Sequence, residues 1–109
     1  MNIKELLELH NIMCDAARTL SKAKGADYSG SDDTLANLKR TEAMGIVPAI
    51  RGVLVRMCDK LSRLSQLTLP GAEAQVKDES IRDTLLDVIN YAVLAQALRV
   101  DALVGKEAT

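Results

Sequence analysis

Seven side chains in the second half of this sequence have the types and spacing to do chemistry: Arg56, Asp59, Lys60 and Arg63 on one stretch, and Glu79, Asp83 and Asp87 on the next. On a 100° wheel Glu79, Asp83, Asp87 and Asn90 share a stripe about 80° wide. Like charges four residues apart repel by a few tenths of a kcal/mol, and Asp87 lies too deep for the helix N-terminus to offset this, so a cation must sit opposite. Carboxylates converging from two helices form a hard-oxygen donor set that suits Mg²⁺ or Mn²⁺. Asp59, Glu79, Asp83 and Asp87 are therefore the expected metal ligands. Asp59, Asp83 and Asp87 stand at the catalytic centre, where the ion would orient a water. Arg56, Lys60 and Arg63 would clamp phosphates. The plainer alternative is two solvated faces in which Arg56 and Arg63 pair with the acids and contribute little.

A second polar group surrounds a glycine-bearing turn. Lys24, Asp27, Tyr28, Asn37 and Arg40 could line a base or phosphate pocket; equally, Asp27, Asp32 and Asp33 could be turn and cap residues, with Tyr28 an anchor for the loop. His10, the sole histidine, falls on an apolar stripe between Leu7 and Met13 and is expected as a partly buried core residue. Nothing beside Cys14 or Cys58 suggests an activated thiol. Neither GxxxxGK[ST] nor GxGxxG occurs, so the familiar phosphate loops are missing.

Helices must position these residues. Apolar side chains from Ile3 to Leu20 recur at helical spacing, and the segment from Lys24 to Asp33 reads as a loop. Asp32 or Asp33 would cap a short helix from Thr34 to Met44, stopped by Gly45. Pro48 suits the first turn of a third helix, whose expected buried face is Ile50, Leu54, Met57, Cys58, Leu61 and Leu64. Pro70-Gly71 ends it. Asp78 or Ser80 would cap a fourth helix that buries Leu85, Val88, Ile89, Ala92, Val93 and Ala97 and runs to about Val104. The expected fold is all-α: a compact bundle of three long helices and one short one, in a single domain over residues 1–109.

Composition narrows the function. The 109 residues contain no Trp, no Phe and two Tyr, so the core is aliphatic and aromatic nucleic-acid platforms are disfavoured. A net charge of -1 gives no excess to hold duplex phosphates, which argues against general DNA binding. Two cysteines without CxxC spacing read as free core thiols in a reducing cytoplasm. No apolar run approaching about 18 residues is apparent, so no membrane association is expected. The stretch from Val93 to Val104 is apolar on more than one side, which predicts a homo-oligomer, a dimer or higher.

Four ordered strings carry a family resemblance: Lys24-Gly-Ala-Asp27-Tyr28; Asp33-Thr-Leu-Ala-Asn37-Leu-Lys39-Arg40; Val55-Arg56-Met-Cys-Asp59-Lys60-Leu-Ser-Arg63-Leu64; and the run from Asp78 to Ala92 that includes Glu79, Asp83, Asp87, Asn90 and Tyr91. From about His10 to Ala95 the sequence resembles the nucleotide modification associated domain 1 family of phages and bacteria. That family is distantly similar to the MazG-type all-α nucleoside triphosphate pyrophosphohydrolases, which hold Mg²⁺ with carboxylates from two antiparallel helices. The resemblance implies a MazG-like bundle, a nucleotide partner and a cytoplasmic setting in a bacterium or phage-infected host. It also implies Mg²⁺-dependent pyrophosphohydrolysis of a standard or modified nucleotide, with Asn90 and the Asp27-Tyr28 segment touching base or sugar. The sequence departs from the MazG pattern: the EExxE run is at best Arg56-Met-Cys-Asp59-Lys60-Leu-Ser-Arg63, and the ExxD run is Asp83-Thr-Leu-Leu-Asp87, with one extra residue between the acids. These departures leave two alternatives: a noncatalytic module that binds or sequesters nucleotides, and a structural helical oligomer.

Overall fold

The computed structural model describes residues 1–28, 34–71 and 74–108. Four helices and no strand occur among the described residues: α1 (Ile3–Tyr28), α2 (Ala36–Ala43), α3 (Ala49–Leu67) and α4 (Ala74–Ala108). The all-α expectation of three long helices and one short one holds.

Local chemistry sets most of the helix ends. Asn2 opens α1 by accepting the Glu5 amide at 2.9 Å while its own Nδ2 donates to Glu5 Oε1 at 3.1 Å, a reciprocal cap. Gly45, at φ 74°, closes α2: its amide donates to the Glu42 carbonyl and the Ile46 amide to that of Thr41, the paired bonds of a Schellman turn. Pro48 holds the N-cap position of α3, and the Ala49 amide donates to the Glu42 carboxylate at 3.4 Å. Thr68 ends α3 by donating its hydroxyl to the Leu64 carbonyl at 2.8 Å.

Three sequence expectations about ends need correction. Helix α1 runs through Gly25 to Tyr28, so Lys24 to Tyr28 are helical, because one internal glycine costs only about 1 kcal/mol. The N-cap residue of α2 is Leu35, with no side-chain cap bond; Asp32 and Asp33 lie outside the described residues. Helix α4 begins at Ala74, ahead of both Asp78 and Ser80.

Helix α3 packs along α4, α2 packs on α3, and α1 rests on α4. The core joins Leu35 and Leu38 of α2, Ala49 and Val53 of α3 and Leu98 of α4, with Met57, Tyr91 and Leu94 packed around it. Gly52 lets α2 and α3 approach: a Cβ there would meet Thr41 Oγ1 at 3.3 Å. Lys39 and Asp101, 2.7 Å apart, tie α2 to the last third of α4.

The buried faces differ from those expected. On α3 the inward residues are Ala49, Val53, Met57, Lys60 and Leu64, whereas Leu54, Cys58 and Leu61 are exposed. On α4 Thr84, Leu86 and Leu98 are buried and Asp87, Asn90 and Tyr91 half-buried, whereas Leu85, Ala92 and Val93 face outward. His10 is exposed too, with its Nδ1 3.8 Å from Cys14 Sγ. The part of α4 spanning Asp78–Gly105 is long and apolar enough, by length and composition, to cross a membrane, with an 18-residue window inside it reaching a mean hydropathy of 1.3. The expectation that no such run exists is corrected, although charged residues, Asp87, Arg99 and Asp101 among them, fall within this span.

Candidate functional site

The site lies where α3 and α4 run side by side. Met57 and Tyr91 belong to the packing that joins the two helices, which fixes the residues one turn further along. There Lys60 of α3 reaches Asp87 of α4, its Nζ 3.1 Å from Oδ2, while Lys24 of α1 approaches the other oxygen, Oδ1, also at 3.1 Å. One carboxylate thus joins three helices. The Asp87 side chain is 17% exposed, so this polar junction is largely shielded from water. Burial pushes the Asp87 carboxyl up, but hydrogen bonds from Lys60 and Lys24, together with their charges, outweigh it and hold the group below its ordinary 3.8.

Beside this junction is an open depression of about 470 Å³ lined by Arg56, Asp59, Lys60, Arg63 and Tyr91. Three cations face one carboxylate there, so the surface is shaped for an anion with several charged oxygens. Arginine forks suit phosphate oxygens, the Lys60 ammonium adds a point charge, and Tyr91 brings a ring with a polar tip. Next to Tyr91 in sequence, the Asn90 amide nitrogen is buried and has no hydrogen-bond partner. A buried donor left open costs about 1–3 kcal/mol, so it needs an explanation.

The helices bring together some of the residues expected from sequence and leave others apart. Arg56, Asp59, Lys60 and Arg63 share the depression, and Lys24, Lys60 and Asp87 meet at the junction. Glu79 and Asp83 are exposed on α4. Among the described residues no three His, Cys, Asp or Glu side chains gather as a metal-holding set. The anticipated convergence of Asp59, Glu79, Asp83 and Asp87 is therefore replaced by lysine pairing, because Asp87 turns toward α1 and α3, where two ammonium groups meet it. On α2, Arg40 Nη2 donates to Asn37 Oδ1 at 3.1 Å, an exposed contact within one helix. The side chains of Asp27 and Tyr28 lie outside the described residues. Tyr91 was not anticipated as a lining residue, although its place one helical turn after Asp87 and Val88 was a usable signal.

The paired helices that build the depression are also the part of the chain with a recognised relationship. Residues 50–97 match the model of the nucleotide modification associated domain 1 family. The match takes in nearly all of α3 and α4 up to the core, so two of the four strings that carry the resemblance fall within the matched segment and the strings at 24–28 and 33–40 fall outside it. No curated protein and no solved structure matches the chain.

Proposed function

We propose that this chain binds a nucleotide through its phosphates in the depression between α3 and α4. Arg56, Lys60 and Arg63 neutralise the phosphates, Asp59 accepts from a sugar hydroxyl or a base amine, and Tyr91 packs against the base or sugar. The observation that carries this reading is the meeting of three cations and a tyrosine in one depression, within the segment that matches a nucleotide-modification family.

Mg²⁺-dependent pyrophosphohydrolysis is the second reading, favoured by Asp83 and Asp87 on successive turns of α4 with Asp59 on the neighbouring helix. The side chains fit it less well. Both Asp87 oxygens accept from lysine, and no third carboxylate joins them among the described residues, so a divalent ion would have to displace Lys24 and Lys60 first.

A panel of nucleoside mono-, di- and triphosphates, titrated calorimetrically with and without Mg²⁺ and assayed for pyrophosphate, separates the two. Binding that survives chelator, weakens with salt and strengthens with phosphate number is expected, and Arg56→Ala or Arg63→Ala should each weaken it about tenfold, the equivalent of ~1.4 kcal/mol. Pyrophosphate release that needs Mg²⁺ and falls by orders of magnitude in Asp87→Asn would establish the hydrolase instead. Absence of any nucleotide binding defeats both.

A further inference from the structure

The chain exposes 8231 Å², whereas a compact monomer of its 11.8 kDa mass exposes about 5,900 Å². Its radius of gyration is 16.5 Å against about 13 Å for a compact chain of this length. The surplus, roughly 2,300 Å², is well above the ~800 Å² each partner gives to a standard interface and falls in the range of obligate homodimers.

Many large apolar side chains are exposed, and they are ordered in stripes. Every residue of α1 up to Ile12 is exposed, including Ile3 at 69% and Leu7 at 56%. Ile3, Leu7, His10 and Cys14 alternate steps of four and three residues, so they lie within about 60° of one another on the helix. On α4, Val93, Val100 and Val104, all roughly half-exposed or more, fall within about 40°. Straight stripes at this spacing are seams for other helices. Lys4 next to Glu5 and Glu8 puts both signs beside the α1 stripe, so two copies of it do not repel.

We propose that this chain is an obligate homodimer in which the α1 stripe and the outer α4 stripe are buried by a second copy. A second copy fits better than a foreign partner because the cover is needed for folding itself. Seven apolar residues, two of them leucines at the margin of burial, make up the buried set described, and Val53 alone among them is fully enclosed. A fold that depends on such a cover gains stability from a second copy as the chain's own concentration rises. A bilayer fits the α4 stripe less well, since Arg99 and Asp101 lie between Val93 and Val104 and Asp101 is paired to Lys39.

The test measures the mass of the full chain by light scattering between about 0.1 and 50 µM and follows its urea unfolding at the same concentrations. The expected result is a two-chain mass and an unfolding midpoint that rises with concentration. Leu7→Asp and Val100→Asp should raise the dissociation constant at least about 100-fold, or leave the chain unfolded at micromolar concentration, whereas Ile46→Asp, in the exposed turn between α2 and α3, should do neither. A folded monomer with a concentration-independent midpoint overturns the proposal. So does an Ile46→Asp variant that dissociates as readily as the other two, or co-sedimentation with anionic phosphatidylserine vesicles in place of dimerisation. Nucleotide binding is read separately, so failure here leaves the phosphate site standing.

Discussion

Two sides of α4 have exchanged the roles that their residue types suggest. The side with Asp87 and Asn90 is turned into the bundle, where it meets Lys24, Lys60 and the packing around Tyr91; the side with Leu85 and Val93 is turned to solvent. Inside, Asp87 is held by two lysines while the Asn90 amide has no partner, and the apolar residues outside wait for theirs. The difference teaches that amphipathic spacing locates a stripe without saying which way it points. Burial of a charge is the better guide to function, because it persists only where partners have been supplied.

The largest effect expected from this contrast comes from two adjacent leucines. Leu86→Ala should cost about 3 kcal/mol in urea unfolding, since Leu86 is 5% exposed and leaves a cavity. Leu85→Ala, at 40% exposed, should cost under about 1 kcal/mol. Equal costs would show that the two sides are equally covered in solution. Next comes Asp87→Ala, which strands two ammonium groups and should cost about 2 kcal/mol, less than a fully buried pair because Lys24 reaches solvent. A double variant that also replaces Lys60 with Met should recover part of that loss, and no recovery would mean that the loss does not come from a stranded Lys60.

Asn90→Leu sharpens the comparison further. Removing an open buried donor should raise stability by about 1 kcal/mol while weakening nucleotide affinity, if the amide is kept for a ligand. A gain in stability with unchanged affinity assigns the orphan donor to imperfect packing. The smallest effect is on pH dependence. Because Asp87 is held below 3.8 in the folded chain, its contribution is fully present above that value and is lost as pH falls through the lower folded one. Acid unfolding below about pH 4 should therefore be steeper in the parent chain than in Asp87→Asn. Superimposable acid limbs would show that the lysines leave the carboxyl where it started.

Much of this architecture is legible from sequence. The aliphatic periodicity, Gly45 and Pro48 mark the short α2 and the start of α3, and Asn2 with Glu5 accounts for the first turn of α1. Facing was not legible on α3, because Val53 and Leu54, Met57 and Cys58, and Leu61 and Leu64 offer apolar stripes on both sides. Periodicity cannot choose between two seams when each will have a partner. The grouping of Arg56, Asp59, Lys60 and Arg63 could be read directly, since one helix face holds them all. The junction could not: Lys24 and Asp87 are 63 positions apart, and only the docking of α1 on α4 joins them.

Helix α4 is continuous from Ala74 to Ala108, and the same rod forms a wall of the depression with Tyr91 and an apolar handle beyond Leu98. At 1.5 Å per residue Tyr91 lies about 10 Å on one side of Leu98 and Val104 about 9 Å on the other. Tyr91 packs against the same core cluster that holds Leu98, and Asp101 beyond it is tied to Lys39 of α2. The wall that a phosphate would meet is therefore as firm as the core behind it.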